Sequence, residues 1–451
     1  MKQQLKFGQY LTIASMLFGL FFGAGNLIFP VHMGQMAGSN VWSAILGFLV
    51  TGVGLPLLGV TALGISRCSG LAELSGRIGS RYSILFTCAL YLTIGPFFAI
   101  PRCATVPFTV GIIPLLTSGT TGALPRAAFS FLFFAVVLWF SLRPNGILTW
   151  IGKVLNPIFL ACLGILVVTA LLNPLGHVGD ITPADAYASG AFFNGFLEGY
   201  NTMDALAGLA FGIIVVNVVH SLGVNEPEAV ARSTVKAGVF SSIIMAAIYL
   251  AVTVVGTQSR GVYPIGANGG ETLTVIAHHY FGTAGFIILA GTVTFACLKT
   301  AVGLITSCAE TFSTIFPHSL NYRHWAMVFC AVSFFIANLG LDAIIAYSLP
   351  VLMFLYPLAI TLILLTLCGR LFGHDLGVYR WVTVFTLIAS SFDCIKALPP
   401  ETKNFLHLNE AVGVAERFLP LFHQGLGWVV PALAGCAIGL LLYFRKLSSH
   451  P

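Results

Sequence analysis

The sequence predicts an all-α integral membrane protein that crosses the bilayer with twelve transmembrane helices. Three observations carry that expectation. Of 451 residues, 57% are hydrophobic and only 8% are Asp, Glu, Lys or Arg, whereas a soluble domain carries roughly 25% charged residues. The mean hydropathy of +0.93 leaves too little polar surface for a chain of this length to face water. Apolar stretches recur along the whole chain, each near the roughly 20 residues needed to cross the hydrocarbon core.

Read between turn and charge clusters, the apolar runs fall near 8–32, 40–66, 82–112, 126–142, 148–172 and 190–219. Six more lie near 235–258, 284–316, 324–340, 343–369, 378–395 and 425–445. The first run follows Lys2 and Lys6 but is too long for a signal-peptide core and has no small-residue cleavage site, so it is expected to stay as the first span. The ten cysteines are dispersed in or beside apolar runs with no C-x-x-C pair, and read as small packing hydrophobes.

An even number of spans puts both termini on one side, and the basic residues choose which. Lys2, Lys6, Arg67, Arg77, Arg81, Arg143, Lys153, Arg232, Lys236, Arg323, Arg370, Arg380, Arg445 and Lys446 share one side, while Arg126, Arg260, Lys396, Lys403 and Arg417 fall on the other. The positive-inside rule then makes both ends cytoplasmic in a cell membrane. The +6 formal charge is therefore a matter of orientation in the bilayer, and no nucleic-acid partner is expected. The outer segments 173–189 and 259–283 are candidates for an external lid, the first equally a solvated connector.

Two spans carry helix breakers. The run GLFFGAGNLIFP in span 1 holds Gly19, Gly23, Gly25, Asn26 and Pro30, at about 1 kcal/mol per interior Gly and about 3 for Pro. Span 6 crowds Asn194, Gly195, Glu198, Gly199, Asn201, Thr202 and Asp204 into NGFLEGYNTMDALAGLAFG. Non-helical backbone at membrane depth survives only where protein or a water-filled cavity covers it, and transporters bind their substrates at such breaks. A glycine-rich packing face is the alternative for span 1. The breaks are five spans apart, so the second copy must be inverted relative to the first. The expected domain is a single polytopic unit with one repeat at about 8–172, another at about 190–369, and two C-terminal helices at about 378–445.

Ionisable residues at bilayer depth cost about 2.5–3.5 kcal/mol each and need a partner or a task. Arg102 lies among Pro96, Pro101 and Pro107, and either caps freed carbonyls or gates. Lys299 sits mid-span in FACLKTAVGLITSCAETF. Glu310 and Asp393 fall near span ends, where interface anchoring is the plainer role. Glu198 and Asp204 belong to the second break, where Asp204 also suits a helix start.

Four segments, FGAGNLIFP at 22–30, GPFFAIPR at 95–102, GYNTMDALAGLAFGI at 199–213 and ACLKTAVGLITSCAE at 296–310, resemble the bacterial branched-chain amino acid:cation symporters of BrnQ type. The resemblance runs nearly end to end. It implies a LeuT-like architecture, a five-plus-five inverted repeat with broken helices 1 and 6, and uptake of leucine, isoleucine and valine coupled to Na+ or H+. It further implies that amides around Gly23, Ala24 and Gly25 receive the substrate carboxylate, with Asn26 also in the substrate site, that carbonyls near Tyr200, Asn201 and Thr202 take the ammonium, and that Phe97, Phe98, Tyr200 and Met203 are candidates for the pocket around the aliphatic side chain. A cation site or proton relay would draw on the carbonyls of Gly19, Phe22 and Ala296 with Lys299, Thr300 and Asp204; Arg102, Glu198 and Glu310 would be gating or structural. Lys299 stands where sodium would want a hydroxyl, and a buried lysine can give up its proton, which favours sodium-independent or proton-coupled transport.

An intramembrane enzyme would need an acid and base pair, an activated nucleophile or clustered metal ligands in one cavity, and the sequence offers none. A channel, or a carrier for another small neutral amino acid, is the alternative. No cofactor is expected beyond the coupling ion, and no obligate protein partner beyond the lipid bilayer.

Overall fold

The computed structural model describes residues 5–66, 68, 70–116, 123–143, 156–224 and 226–449, and all regular structure among them is helical. Lys2, Arg67, Lys153 and the start of the expected fifth span lie outside the described residues. The first span is two helices, α1 (Phe7–Phe21) and α2 (Ala24–Ala37), as the breakers demand. Next come α3 (Val41–Leu49) and α4 (Leu55–Ser66), joined by a π turn at Val50–Gly54, and the short α5 (Leu71–Gly76).

The third apolar run is also interrupted, which the sequence reading did not anticipate. Helices α6 (Ser80–Leu92) and α7 (Ala99–Gly111) meet at a π turn, Thr93–Phe97, where Gly95 leaves helical geometry at φ −93°, ψ −126°. Pro96 supplies the cause, because a proline ring removes a donor and crowds the preceding turn. Helices α8 (Ala123–Ser141) and α9 (Asn156–Leu172) follow, then the short α10 (Asp185–Ala188) in the outer segment.

The sixth run breaks into α11 (Ala191–Glu198), a 3-10 turn at Gly199–Thr202, and α12 (Asp204–Ser221). Beyond it lie α13 (Pro227–Ser259) and α14 (Gly269–Ile315). The latter bends at Gly282, φ 57°, so most of the candidate lid 259–283 is helical rather than loop. The last helices are α15 (Tyr322–Ala337), α16 (Leu341–Cys368), α17 (Leu376–Ala397), the short α18 (Pro400–Phe405) and α19 (Asn409–Phe418), and α20 (Val429–Ser449). Among the described residues nine helical stretches are long and apolar enough to cross a membrane, and Phe7–Phe21, Pro157–Leu172 and Tyr322–Ala337 are shorter apolar helices.

Glycines set how near the helices approach. Between α2 and α13 there is no room for a side-chain carbon at Gly34, which meets the Thr253 carbonyl, nor at Gly256, which meets that of Val31. Small residues at a membrane helix crossing let backbones touch, where packing rather than hydrophobicity drives association. The C-terminal end of α2 is then fastened by Gln35, 1% exposed. Its Nε2 donates to Ser259 Oγ at 2.9 Å and to the Pro264 carbonyl at 3.4 Å, and its Oε1 accepts from the Gly266 amide at 3.0 Å and Thr272 Oγ1 at 2.9 Å. Replacing Gly256 by Leu should lower the apparent unfolding temperature in detergent, overpacking costing about 1–3 kcal/mol. Gly164→Leu, on α9 with open space around it, should leave that temperature unchanged.

Candidate functional site

The first break is made by two residues. Phe22 closes α1 with its N–H on the Phe18 carbonyl at 2.7 Å, and Gly23 runs extended at φ −120°, ψ −157° before α2 begins. The Gly23 amide is caught by Asn26 Oδ1 at 2.8 Å. The second break turns on Met203, a non-glycine residue held at φ 62°, a conformation that is uncommon and marks strain or function. Its amide donates to the Tyr200 carbonyl at 3.0 Å, and Thr202 Oγ1 donates to that of Gly199 at 2.9 Å.

The two breaks touch. Asn26 Nδ2 donates to Asp204 Oδ2 at 2.6 Å, and the Tyr249 hydroxyl of α13 donates to the same oxygen at 2.8 Å and also meets the Asn26 amide. All three residues are nearly inaccessible, at 2%, 1% and 0% exposure. Asp204 therefore starts α12 but spends its carboxylate on the first break. Tyr249 was missed in sequence because a tyrosine within the apolar run of α13 reads as a packing aromatic. Its hydroxyl alone distinguishes it, and that has no periodic signature.

Arg102 takes the capping role. From α7 its Nη1 donates to the Asn201 carbonyl at 2.8 Å, its Nη2 meets Ser348 Oγ of α16, and its guanidinium lies over the Phe29 ring at 5.2 Å. A forked guanidinium suits a site where one freed carbonyl and one hydroxyl must both be served. Glu198 accepts from Asn201 Nδ2 at 3.3 Å just outside the turn.

A small crevice opens beside these groups. Gly23, Ala24, Gly25, Asn26, Thr202, Met203, Asp204, Arg102 and Thr300 line its polar side, and Phe21, Ile94, Ala99, Ala207, Phe211 and Leu304 are among its apolar walls. Ile94 and Ala99 flank the interruption of the third run, so that break also shapes the wall. Among the expected aromatics, Phe97 is 40% exposed, Phe98 is half-buried, and Tyr200 is buried in a stack with Tyr356 at 4.0 Å. None of these three lines the crevice. Another crevice, between α9 and α14, has walls that are almost wholly apolar, Leu163, Leu166, Ile288 and Leu289 among them, and offers nothing to a charged solute.

Beside the first break, Thr300 Oγ1 reaches the carbonyls of Phe22 at 3.4 Å and Ala296 at 3.2 Å, and Gly19 is buried in the last turns of α1. Lys299, 2% exposed, carries its Nζ to 5.7 Å from the Phe18 ring and 5.4 Å from that of Phe159. Glu310 is exposed near the end of α14, about 16 Å further along the helix. Asp393 is buried in α17 at 2% exposure, away from the crevice walls. Among the described residues no group of three His, Cys, Asp or Glu side chains could hold a metal ion.

Two broken helices crossing at a buried polar node define the fold of LeuT-like transporters, and solved structures agree. The chain is similar to Mhp1, a nucleobase-cation-symport-1 family transporter in a closed conformation with bromovinylhydantoin bound, with TM-score 0.62, 15% identity, and 99% of this chain and 95% of that one covered. It is also similar to MhsT in complex with L-phenylalanine, with TM-score 0.56, 14% identity and 99% of both chains covered. At those identities the likeness is one of fold.

Residues 6–446 match the family model described as branched-chain amino acid transport protein, and the chain belongs to that family. It is 51% identical over 438 residues to the branched-chain amino acid permease BrnQ of Lactobacillus delbrueckii subsp. lactis, covering 97% of each chain. It is 41% identical over 450 residues to BrnQ of Bacillus subtilis (strain 168), covering 100% of each. The branched-chain amino acid transport system 2 carrier protein of Pseudomonas aeruginosa is 39% identical over 448 residues, with 99% of this chain and 98% of that one covered. These relatives are permeases and carriers, so the chain is a transport protein and not an enzyme.

Substituting Arg102 by Met strands the Asn201 carbonyl in a dry interior and should cost about 1.5–3 kcal/mol, the worth of a hydrogen bond to a charged group. The loss should register as a lower apparent unfolding temperature, and Arg102→Lys, which cannot fork, should recover only part of it.

Proposed function

We propose that this chain takes up leucine, isoleucine and valine by symport with Na+ or H+ through alternating access, spanning the cell membrane twelve times with both termini cytoplasmic. The observation that carries this reading is the bond from Asn26 in one broken helix to Asp204 in the other, beside a crevice that is polar on one side and apolar on the other. In the twelve-span reading α1 with α2 is span 1 and α11 with α12 is span 6. Spans 1–5 and 6–10 are inverted repeats, and α17 and α20 are appended. The names of the relatives above supply the substrate class.

The substrate carboxylate meets the amides of Ala24 and Gly25, where the start of α2 presents unpaired N–H groups and the positive end of its dipole. The side chain lies among Ile94, Ala99, Ala207, Phe211 and Leu304, which have neither charge nor spare hydrogen bonds. Mostly apolar walls with a few placed polar groups are what small-molecule sites provide.

For coupling, Thr300 supports a cation region by reaching the Phe22 and Ala296 carbonyls. Lys299 brings an amine to the same helix turn, over the faces of Phe18 and Phe159; as an ammonium it repels or replaces sodium, and a buried lysine can also give up that proton. Transport is then independent of sodium and follows the proton gradient. In liposomes holding the purified chain, leucine uptake in sodium-free buffer should follow an imposed pH gradient, and Lys299→Thr should confer stimulation by sodium. Uptake that requires sodium and ignores the pH gradient defeats the proton assignment. Counterflow of labelled leucine tests carrier against channel, since a channel supports no exchange-driven accumulation.

A further inference from the structure

Asp204 lines the crevice from a position that is 1% exposed, and two donors, Asn26 Nδ2 and the Tyr249 hydroxyl, converge on its Oδ2. Both donors are neutral. They satisfy the oxygen without cancelling its charge, and a carboxylate out of water calls for a positive partner.

The cation that shares the crevice wall is committed elsewhere. Arg102 serves Asn201 and Ser348 and lies on Phe29. The carbonyls of the second break are also engaged, that of Tyr200 by the Met203 amide and that of Asn201 by Arg102. An incoming ammonium group therefore finds a stronger acceptor in Asp204 than in those carbonyls.

Asn26 fixes the spacing. One side chain binds the Gly23 amide through Oδ1 at 2.8 Å and Asp204 through Nδ2 at 2.6 Å. It thus brackets the amide-rich start of α2 and the carboxylate within the span of a single carboxamide and two hydrogen bonds. In an α-amino acid the two charged groups sit on one carbon. A ligand whose carboxylate rests on the amides of Ala24 and Gly25 turns its ammonium towards Asp204.

We propose that Asp204 is the receptor for the substrate's ammonium group, with Tyr249 and Asn26 as positioning residues that hold the carboxylate towards the crevice. The assignment rests on the transport reading above and deepens it. It makes the site selective for zwitterions: a branched-chain 2-hydroxy acid, identical in side chain and carboxylate, lacks the group that Asp204 recognises.

Binding of labelled leucine to the purified full-length chain, with competition by unlabelled 2-hydroxy-4-methylpentanoate, tests this directly. The wild type should reject the hydroxy acid by about 100-fold relative to leucine, the scale of an unpaired buried charge. Asp204→Asn should weaken leucine by a similar factor and leave the hydroxy acid unchanged, closing the gap. Tyr249→Phe should shift leucine in the same direction by about tenfold. If instead Asp204→Asn keeps the leucine to hydroxy acid ratio and loses only its response to sodium or pH, the carboxylate serves the coupling ion and the assignment is overturned. Should that variant fail to fold, carbodiimide modification of wild-type Asp204, mapped by mass spectrometry, decides the matter. Shielding by leucine and not by the hydroxy acid supports the proposal; shielding by sodium alone overturns it. A wild-type chain that binds no branched-chain amino acid removes the transport reading itself, at a step before any variant is compared.

Discussion

A 2.6 Å hydrogen bond between Asn26 and Asp204 joins two stretches of backbone that lipid would not tolerate alone. Within hydrocarbon a helix that stops midway leaves donors and acceptors that no water can reach, at several kcal/mol apiece. Here each break is closed locally first. Asn26 caps Gly23, Thr202 and Met203 turn back on Gly199 and Tyr200, and Arg102 covers Asn201. Only then are the breaks tied to each other, with Tyr249 as the third member of the node. The tie puts the positive start of α2 beside a carboxylate, the juxtaposition on which the proposed zwitterion site rests.

Much of this was legible in the amino-acid order. Gly23, Gly25 and Pro30 in one run, and Gly199, Asn201 and Asp204 in another, marked the two runs that break, although Gly25 and Pro30 lie inside α2 and the break itself falls at Phe22 and Gly23. The aromatics were harder. Phe97 and Phe98 sit in the GPFFAIPR segment that ends in Arg102, yet with the π turn at Thr93–Phe97 they lie off the crevice and Ile94 and Ala99 stand on its wall. A turn that adds one residue to a helix repeat rotates every later side chain by about 100°, and a single sequence does not announce it. Tyr249 was hidden for a different reason: its partner lies 45 positions away, and no local pattern predicts such a pair.

The third interruption changes how the site should be pictured. A two-break scheme makes spans 1 and 6 the whole recognition surface, with span 3 a passive wall. With Gly95 out of helical geometry and Arg102 reaching Asn201 from the next helix, span 3 both supports the second break and forms part of the apolar wall. Solved structures of the same fold at 15% identity or below indicate that this architecture tolerates wholesale replacement of side chains. What has to persist is backbone that is covered wherever it leaves the helix.

Gln35 carries a mechanical consequence. Its carboxamide has two hydrogens and two lone-pair sites, and Ser259, Pro264, Gly266 and Thr272 occupy all four. The end of α2 is thereby fastened to its neighbours at four points. Helix α1 and its end meet their neighbours through side-chain contacts such as Tyr10 to Ser233 at 3.5 Å and Thr300 to the Phe22 carbonyl at 3.4 Å. One carboxamide thus keeps α13, α14 and the segment between them in register with α2, and a shorter side chain at that position strands the Gly266 amide.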